Sequence, residues 1–193
     1  MKRLLGTFWG RSIAVTVGSV LLIAAVCGAW VGWIQAFGNV SVEFGGDLVR
    51  SAQLDPATMA KVLEQYRIRT VINLRGANPG DDWFDGEVLA AEKVGASHVS
   101  LALSATREPD DQLLTTLTDI LKSAKRPILI HCNWGSDRTG LAAALYGLAV
   151  KKVGVDEAAG QLSFRYGHFP WLTSETGAMD RAFWRAAGAG DAR

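Results

Sequence analysis

An uncharged apolar run divides this 193-residue chain into parts with different folding requirements. Residues 13–34 are 22 successive residues without a charge, about as many as a helix needs to cross a bilayer. The basic residues Lys2, Arg3 and Arg11 precede the run, and two tryptophans lie near its far end. Positive charge marks the cytoplasmic side of a spanning helix, and tryptophan favours the membrane interface.

These features predict a membrane protein that crosses the bilayer once. Residues 1–12 form a basic cytoplasmic N-terminus and residues 13–34 a transmembrane anchor. Residues 35–48 are rich in glycine and predict a linker, followed by a folded domain at residues 49–193. The orientation places this domain on the outer side of the membrane, in a periplasmic or extracellular location.

Two other fates of the apolar run remain open. A cleaved signal peptide has an apolar region of about 7–15 residues that ends in small residues, but this run continues past its small residues near Cys27. Lipid attachment at Cys27 is the second alternative, although Val26 is bulky for the position before such a cleavage site.

Charge and cysteine content limit the partners of the folded domain. Of the 20 Lys and Arg residues, three precede residue 13, which leaves 17 against 19 Asp and Glu and a net charge of −2. A nucleic-acid-binding domain usually carries a basic face, so we expect no nucleic-acid partner. Cys132 is the only cysteine after the apolar run, so neither a disulfide nor a cysteine metal site is predicted there. We expect no metal or other cofactor.

Apolar strand patterns alternate with helical patterns along the rest of the chain. The stretches RTVINLRG, SHVSLAL and RPILIHC are β-branched and apolar, and a short strand is predicted within DLVRSAQL. This alternation is typical of an α/β domain with a mainly parallel central sheet flanked by helices. The predicted helices cover DPATMAKVLEQYRI, which begins with an Asp N-cap followed by Pro, FDGEVLAAEKVG, residues 110–124, residues 139 or 140 to 150, GVDEAAGQLSF and residues 177–187.

The segment HCNWGSDRTG, residues 131–140, combines features of an anion site and a nucleophile. It follows a predicted strand and leads into a predicted helix, where backbone N–H groups and the helix dipole attract anions. Gly135 lets the loop curl, and the guanidinium of Arg138 can bind two oxygens of a phosphate. The same positive field favours the thiolate of Cys132, which could attack phosphorus to form a cysteinyl-phosphate intermediate.

The other loop residues have predicted supporting roles. Thr139 could hydrogen-bond the sulfur and assist its departure, and His131 could orient the loop from behind. Trp134 either covers the pocket or packs beside it. The residues predicted to bind phosphate are Cys132, Asn133, Trp134, Gly135, Ser136, Asp137 and Arg138.

The pattern His-Cys-x-x-Gly-x-x-Arg-Thr-Gly resembles the signature of cysteine-based protein tyrosine and dual-specificity phosphatases. LVRSAQL, IRTVINLRG and ALYGLAV…VDEAAGQLSFRYGH are similar to the bacterial dual-specificity-like branch. The resemblance covers about residues 45–170. It implies the cysteine phosphatase fold and hydrolysis of phosphate monoesters, with phosphotyrosine or dual-specificity protein substrates. It also implies no metal and an Asp general acid from a separate loop.

The general acid is the point where this chain departs from the family pattern. Ser104 and Ala105 stand near the position where the family carries an Asp. Asp110 is one candidate, with an N-cap role as its alternative. Asp137 is a second, because myotubularin-like lipid phosphatases have a similar Cys-x-x-Gly-x-Asp-Arg loop. Glu108 and Asp111, in the same segment as Asp110, are further candidates.

Three residues outside the loop have open roles. Arg75 ends a strand at the sheet edge of Cys132, so it either attracts substrate or forms a surface salt bridge. Arg50 has the same two alternatives. His168 either packs locally or lines the site.

Three other functions compete with a protein phosphatase. An anchor and Asp137 favour a membrane-proximal lipid or inositol phosphate phosphatase, although the loop contains no lysine. A non-catalytic phosphate-binding module is disfavoured because Cys132, Arg138 and Thr139 are all present. A rhodanese-type sulfur transferase also uses a cysteine loop, but the Arg-Thr-Gly sequence fits phosphatases better. The predicted partners are thus a phosphorylated protein or phospholipid and the membrane.

Overall fold

A computed structural model describes residues 2–171 and 174–188, with side chains from residue 12 onward. The chain forms two units, residues 1–36 and 37–193. The first is a single helix, α1 (Lys2–Ala36). Within it, Ser12–Ala36 has a mean hydropathy of 2.2 and no buried residue in its most apolar window. The helix is therefore long and apolar enough to cross a membrane, a property that signal sequences share.

The second unit is built on a five-stranded sheet. The strands lie in the order β1–β2–β5–β3–β4, and β1 alone is antiparallel to its neighbour. This confirms the predicted mainly parallel sheet. The strands are β1 (Ser41–Glu43), β2 (Leu48–Ser51), β3 (Thr70–Asn73), β4 (Ser97–Ser100) and β5 (Ile128–His131).

Helices cover both faces of the sheet. Successive strand residues point to opposite faces, so Val71 and Leu129 pack against α2 and α3, whereas Ile72 and Ile130 pack in the core that includes α4, α5 and α7. The helices are α2 (Pro56–Gln65), α3 (Asp82–Lys93), α4 (Asp111–Ser123), α5 (Asp137–Tyr146), α6 (Val155–Ala159) and α7 (Gly177–Ala186).

The helix boundaries agree with the sequence in some places and differ in others. The Asp55 carboxylate caps α2 by accepting from two backbone N–H groups at 3.0 and 3.1 Å, as predicted. By contrast, α5 begins at Asp137, two residues before the predicted start. It continues as a π-helical turn at Gly147–Lys151. The predicted helix in GVDEAAGQLSF shrinks to α6, which ends at Ala159.

The prediction of a linker at residues 35–48 is wrong for its central part. Residues 41–43 form β1, which pairs with β2. Gly45 and Gly46 have φ angles of 72° and 95°, values that glycine adopts at little cost. The glycines that suggested a flexible connection therefore make the turn between two strands.

Candidate active site

The thiol of Cys132 lies at the carboxyl edge of the sheet, one residue beyond the end of β5. The residue is 2% exposed. Residues 133–136 form a loop before α5 begins at Asp137. The backbone N–H of Gly135 donates to the Cys132 Sγ atom at 3.3 Å. The predicted nucleophile is thus buried at the base of the predicted anion loop, with a main-chain donor directed at its sulfur.

The carbonyl groups of loop residues 133–136 are held from outside the loop. The backbone N–H of Gln53 donates to the first at 3.1 Å, and Asn39 Nδ2 donates to the second at 3.0 Å. Arg50 Nη2 donates to the third at 2.9 Å and to the fourth at 3.4 Å. Four successive carbonyls therefore point away from the inside of the loop.

This outward arrangement determines where the loop N–H groups point. In a trans peptide the C=O and N–H groups point in opposite directions. The N–H groups of residues 134–137 are therefore turned inward, as the contact between Gly135 and Sγ illustrates. The start of α5 adds the positive end of a helix dipole. The loop consequently presents a concave set of donors, the arrangement that binds anions in proteins.

Arg50 is a buried structural cation rather than a surface residue. It is 0% exposed, and its guanidinium lies 3.7 Å from the ring centroid of Tyr166. Its Nη1 donates to the carbonyl and side-chain oxygens of Gln161 at 2.9 and 2.7 Å. Burial lowers its pKa to about 10, opposed by the nearby Tyr166 and Glu43, so it stays charged at neutral pH. Neither role predicted for Arg50, substrate attraction or a surface salt bridge, fits this environment.

Gly135 is required by both conformation and space. Its φ angle is 71°, in the left-handed region that favours glycine. A Cβ atom at this position would lie 2.6 Å from the backbone N of Ala52 and the carbonyl carbon of Ser51. The end of β2 thus packs directly against the loop at its glycine.

His131 lies beneath the loop in a buried network centred on Glu87. Both the His131 and His98 rings place Nε2 against Glu87 Oε1, at 2.9 and 2.7 Å. Gln53 Nε2 donates to the other carboxylate oxygen at 3.1 Å. Burial raises the pKa of Glu87, but the hydrogen bonds from His131 and His98 outweigh it and lower the pKa to about 2. Nδ1 of His131 faces the Cys132 carbonyl oxygen at 3.4 Å.

Arg138 and Thr139 each retain a buried polar atom without a protein partner. Arg138 Nη1 donates to the carbonyl oxygens of Leu74 and Leu103, at 3.3 and 3.2 Å. Its Nε, like Thr139 Oγ1, makes no hydrogen bond to the part of the chain that the structure describes. Such atoms are uncommon in folded proteins, and here two of them occur in adjacent residues of the first turn of α5.

Asp137 is bound to a buried histidine. His168 Nδ1 lies 2.7 Å from Asp137 Oδ1, and His168 Nε2 lies 2.8 Å from Asp180 Oδ2 on α7. Burial lowers the pKa of His168, but its hydrogen bonds to the two carboxylates outweigh it and raise the pKa to about 9. The imidazole is therefore cationic at neutral pH. The Ser136 hydroxyl donates to Asp137 Oδ2 at 3.3 Å, so both oxygens of this candidate acid already accept.

Asp110 has the capping position that formed its alternative role. It is the N-cap of α4, where its Oδ1 accepts from the Leu113 backbone N–H at 2.8 Å. The neighbouring carboxylates of the same segment are bound to α7. The ion pairs are Glu108 with Arg181 and Arg185, and Asp111 with Arg185.

The structural role of Arg50 was not predicted from the sequence, and neither was any role for Asn39 or Glu87 in supporting the loop. Arg50 had a visible signal, because a charged residue stood inside the apolar stretch LVRS. Asn39 had none, since its loop contact is 95 residues distant in the chain. It is 7% exposed, and its Nδ2 also donates to the Tyr166 carbonyl at 2.8 Å. Glu87 also had no distinguishing signal, because α3 contains several other charged residues.

Metal binding finds no support in the described ranges, residues 2–171 and 174–188. Within them, no group of three or more His, Cys, Asp or Glu side chains could hold a metal ion. The groups that the described residues bring together at the site are a thiol, a concave set of backbone donors, a guanidinium and carboxylates.

Comparisons with known proteins place this site in a family. Residues 51–176 match the family described as Swiss Army Knife protein, DSP-PTPase phosphatase domain. The dual specificity protein phosphatase TpbA of Pseudomonas aeruginosa is 31% identical over 170 residues, which cover 77% of this chain and 72% of that protein.

Solved structures show the same fold at lower identity. The crystal structure of P. aeruginosa TpbA in complex with phosphotyrosine aligns with a TM-score of 0.53 and 22% identity, covering 76% of this chain and 88% of that one. The catalytic core of the PP-IP phosphatase Siw14 from S. cerevisiae aligns at 0.55 and 20%, covering 78% and 89%. The chain belongs to the dual-specificity branch of the cysteine-based protein tyrosine phosphatases, and it is a phosphatase.

Proposed function

We propose that the enzyme hydrolyses phosphotyrosine, and with it phosphoserine or phosphothreonine, in protein substrates, with Cys132 as the nucleophile. The observation that carries this assignment is the hydrogen bond of 3.3 Å from the Gly135 N–H to the Cys132 sulfur at the base of the loop. The substrate class is supported by the 31% identity to a protein phosphatase of dual specificity.

The proposed reaction has two steps. In the first, the Cys132 thiolate forms an S–P bond, the bond from phosphorus to the leaving oxygen breaks, and that oxygen takes a proton from an acid. In the second, water attacks phosphorus and gives a proton to the carboxylate left by the acid, the S–P bond breaks to return the thiolate, and inorganic phosphate leaves. Thr139 Oγ1, which is buried and has no partner in the described residues, is suited to hydrogen-bond the departing sulfur.

Phosphate binding is assigned to the loop and to Arg138. The N–H groups of residues 134–137 and the start of α5 supply donors and positive potential for a bound phosphate. Arg138 adds a planar guanidinium whose Nε lacks a partner in the described residues. A guanidinium binds two phosphoryl oxygens in this geometry.

The proton donor is assigned to one of two carboxyl groups, Asp137 or Asp110. Asp137 is adjacent to Arg138 and accepts from the cationic His168 and from the Ser136 hydroxyl. Asp110 is exposed and accepts from one backbone N–H group.

The acid can be identified with two leaving groups. An alkyl phosphate needs protonation of its leaving oxygen far more than p-nitrophenyl phosphate does. Replacing the acid, by Asp137→Asn or Asp110→Asn, should lower kcat on the alkyl ester by about 10²-fold and on the nitrophenyl ester by much less. Equal losses on both esters would assign that carboxylate to the structure of the loop.

The nucleophile is tested with the full chain in detergent. It should hydrolyse p-nitrophenyl phosphate in the presence of a metal chelator, and vanadate should inhibit it. Cys132→Ser should reduce kcat by about 10³-fold or more, whereas Cys27→Ser, the matched control, should keep the wild-type rate. Full activity of Cys132→Ser would exclude the proposed nucleophile.

The substrate class is tested by a panel of phosphotyrosine, phosphoserine and phosphothreonine peptides, a phosphoinositide and an inositol polyphosphate. We expect the highest kcat/KM on the peptides. A preference of at least tenfold for either of the other two substrates would replace the protein-phosphatase assignment.

We also propose that α1 anchors the enzyme in a membrane with the catalytic unit on the outer side. The support is the apolar stretch Ser12–Ala36 and the basic residues before it. A C-terminal reporter enzyme that is active only outside the cytoplasm should be active in this fusion. Activity of a cytoplasm-specific reporter instead would reverse the proposed orientation.

A further inference from the structure

Arg75 lies directly beside both ends of the catalytic loop. It follows β3 by two residues, on the sheet edge where Cys132 follows β5. The backbone of the preceding residue, Leu74, connects to both sides of the loop. Its N–H donates to the His131 carbonyl at 2.9 Å, and its carbonyl accepts from Arg138 Nη1 at 3.3 Å. The main chain at Arg75 is therefore fixed relative to the proposed phosphate site.

The side chain of Arg75 is fixed as well. Its Cζ lies 3.7 Å from the ring centroid of Trp83, a stacking distance for a guanidinium on an aromatic ring. Its Nη1 donates to Gln53 Oε1 at 3.1 Å, and the N–H of the same Gln53 donates to the Asn133 carbonyl of the loop. The side chain is only partly buried, so a preorganised guanidinium remains accessible next to the loop.

The charge of Arg75 is not neutralised by a close carboxylate. Within the described part of the chain, no Asp or Glu oxygen forms an ion pair with it. Burial and the nearby positive charge of Arg138 lower its pKa, with Glu87 and Asp81 acting in the opposite direction. Glu87 already accepts from two histidines, and Asp81 from the Trp83 indole at 3.0 Å. The surface salt bridge predicted as one role of Arg75 is thus absent from the described residues.

We propose that Arg75 is a second anion site beside the catalytic loop, and that it binds the carboxylate of an acidic residue next to the phosphorylated residue of a peptide. This inference rests on the proposed protein phosphatase function and names its substrate preference. A guanidinium pairs with a carboxylate through two parallel hydrogen bonds. Stacking on Trp83 and bonding to Gln53 reduce the entropy lost when it does so.

The charge around the loop favours a singly charged partner over a second phosphate. Arg138 is the only Lys or Arg within residues 131–140. The positive potential at Arg75 is partly offset by Asp81 and Glu87, which act on it electrostatically. A polyphosphate would require more cations to neutralise it, whereas a carboxylate requires one.

The test compares two phosphotyrosine peptides that differ only by Glu or Gln beside the phosphotyrosine. At low salt, the wild-type full chain in detergent should show a kcat/KM about 5- to 10-fold higher on the Glu peptide, which is the net effect of about one hydrogen bond in water. Arg75→Gln should bring this ratio close to one. Arg75→Lys, which keeps the charge but not the planar fork, should retain an intermediate ratio.

Arg69→Gln is the matched control for net charge. Arg69 precedes β3 and is exposed at the opposite end of the same strand, so its removal should leave the wild-type ratio. If wild type hydrolysed both peptides equally, or if Arg75→Gln lowered both rates and kept the ratio, the second anion site would be refuted. Failure of wild type to hydrolyse either peptide would instead contradict the proposed protein phosphatase function.

Discussion

Two buried clusters of histidine and carboxylate stand on either side of the catalytic loop, with opposite composition. The Glu87 cluster, below the residue that precedes Cys132, has one carboxylate between the rings of His98 and His131. The His168 cluster, at the start of α5, has one imidazole between the carboxylates of Asp137 and Asp180. One end of the loop is thus held by one carboxylate with two imidazoles, and the other end by one imidazole with two carboxylates.

This difference in composition shifts the pKa values of the two central residues in opposite directions. Hydrogen bonds from two rings hold the pKa of Glu87 at about 2, against the effect of burial. Hydrogen bonds to two carboxylates hold the pKa of His168 at about 9, again against burial. The clusters also differ in solvent contact, because the Glu87 side chain is 1% exposed whereas those of Asp137 and Asp180 are 15% and 30% exposed. Water therefore has less access to the Glu87 cluster, and the loss of one of its hydrogen-bond partners should lower stability more than the same loss in the His168 cluster.

The largest effect is expected from Glu87→Leu. It removes the acceptor that His98, His131 and Gln53 share and leaves donors where water has little access, at a cost of about 3–5 kcal/mol in the free energy of unfolding. Urea unfolding of the full chain in detergent, followed by tryptophan fluorescence, measures this cost. Glu92→Leu on the exposed side of the same helix should change it by less than about 0.5 kcal/mol. Similar small costs for both variants would contradict the view that the Glu87 cluster is essential to the fold.

A smaller, pH-dependent effect is expected from His168→Gln. A pKa raised from 6.5 to about 9 contributes on the order of 3 kcal/mol of stability. Because the raised pKa belongs to the folded state, this contribution is fully present below pH 6.5 and is lost as the pH rises through about 9. The difference in unfolding free energy between wild type and His168→Gln should therefore shrink between these values.

The Glu87 cluster supplies the control for this pH dependence. The Glu87 pKa is lowered from 4.5 to about 2, so its contribution is present above pH 4.5 and is lost as the pH falls toward 2. The difference between wild type and Glu87→Gln should accordingly stay constant from pH 6.5 to 9 and shrink only in acid. If both differences changed together in the alkaline range, the two clusters would not be electrostatically distinct.

The sequence predicted the local elements of this site better than its long-range contacts. The strand and helix around residues 128–146 followed from the apolar runs on either side of the loop, which are local signals. The N-cap role of Asp110, given as an alternative, is confirmed by its bond to the Leu113 N–H. Asn39 was assigned to a linker, yet it donates to a loop carbonyl 95 residues away. Local sequence patterns do not predict a contact over that separation.

The partners of His131 and His168 in the two clusters are also long-range contacts that the sequence did not predict. His131 was predicted to support the loop because it is adjacent to Cys132, but Glu87 lies 44 residues from it and has no distinguishing neighbours in the sequence. For His168, the sequence left packing and site-lining open, and the structure shows that it connects α7 to the first residue of α5. The partner of a buried charge depends on tertiary packing, which residue spacing alone does not encode.

The smallest effect is expected at the outer member of the His168 cluster. Asp180→Asn keeps an oxygen that can accept from His168 Nε2 but removes one negative charge. The wild-type carboxylate is 30% exposed, so the stability cost should be only about 1 kcal/mol after solvent screening. The His168 pKa should fall toward its ordinary value, and the alkaline loss of stability should begin at a lower pH than in wild type. Because the bond from His168 to Asp137 remains, kcat/KM on p-nitrophenyl phosphate should change by less than about threefold. A large loss of activity with an unchanged pH profile would mean that α7 positions the loop through packing rather than through the charge of His168.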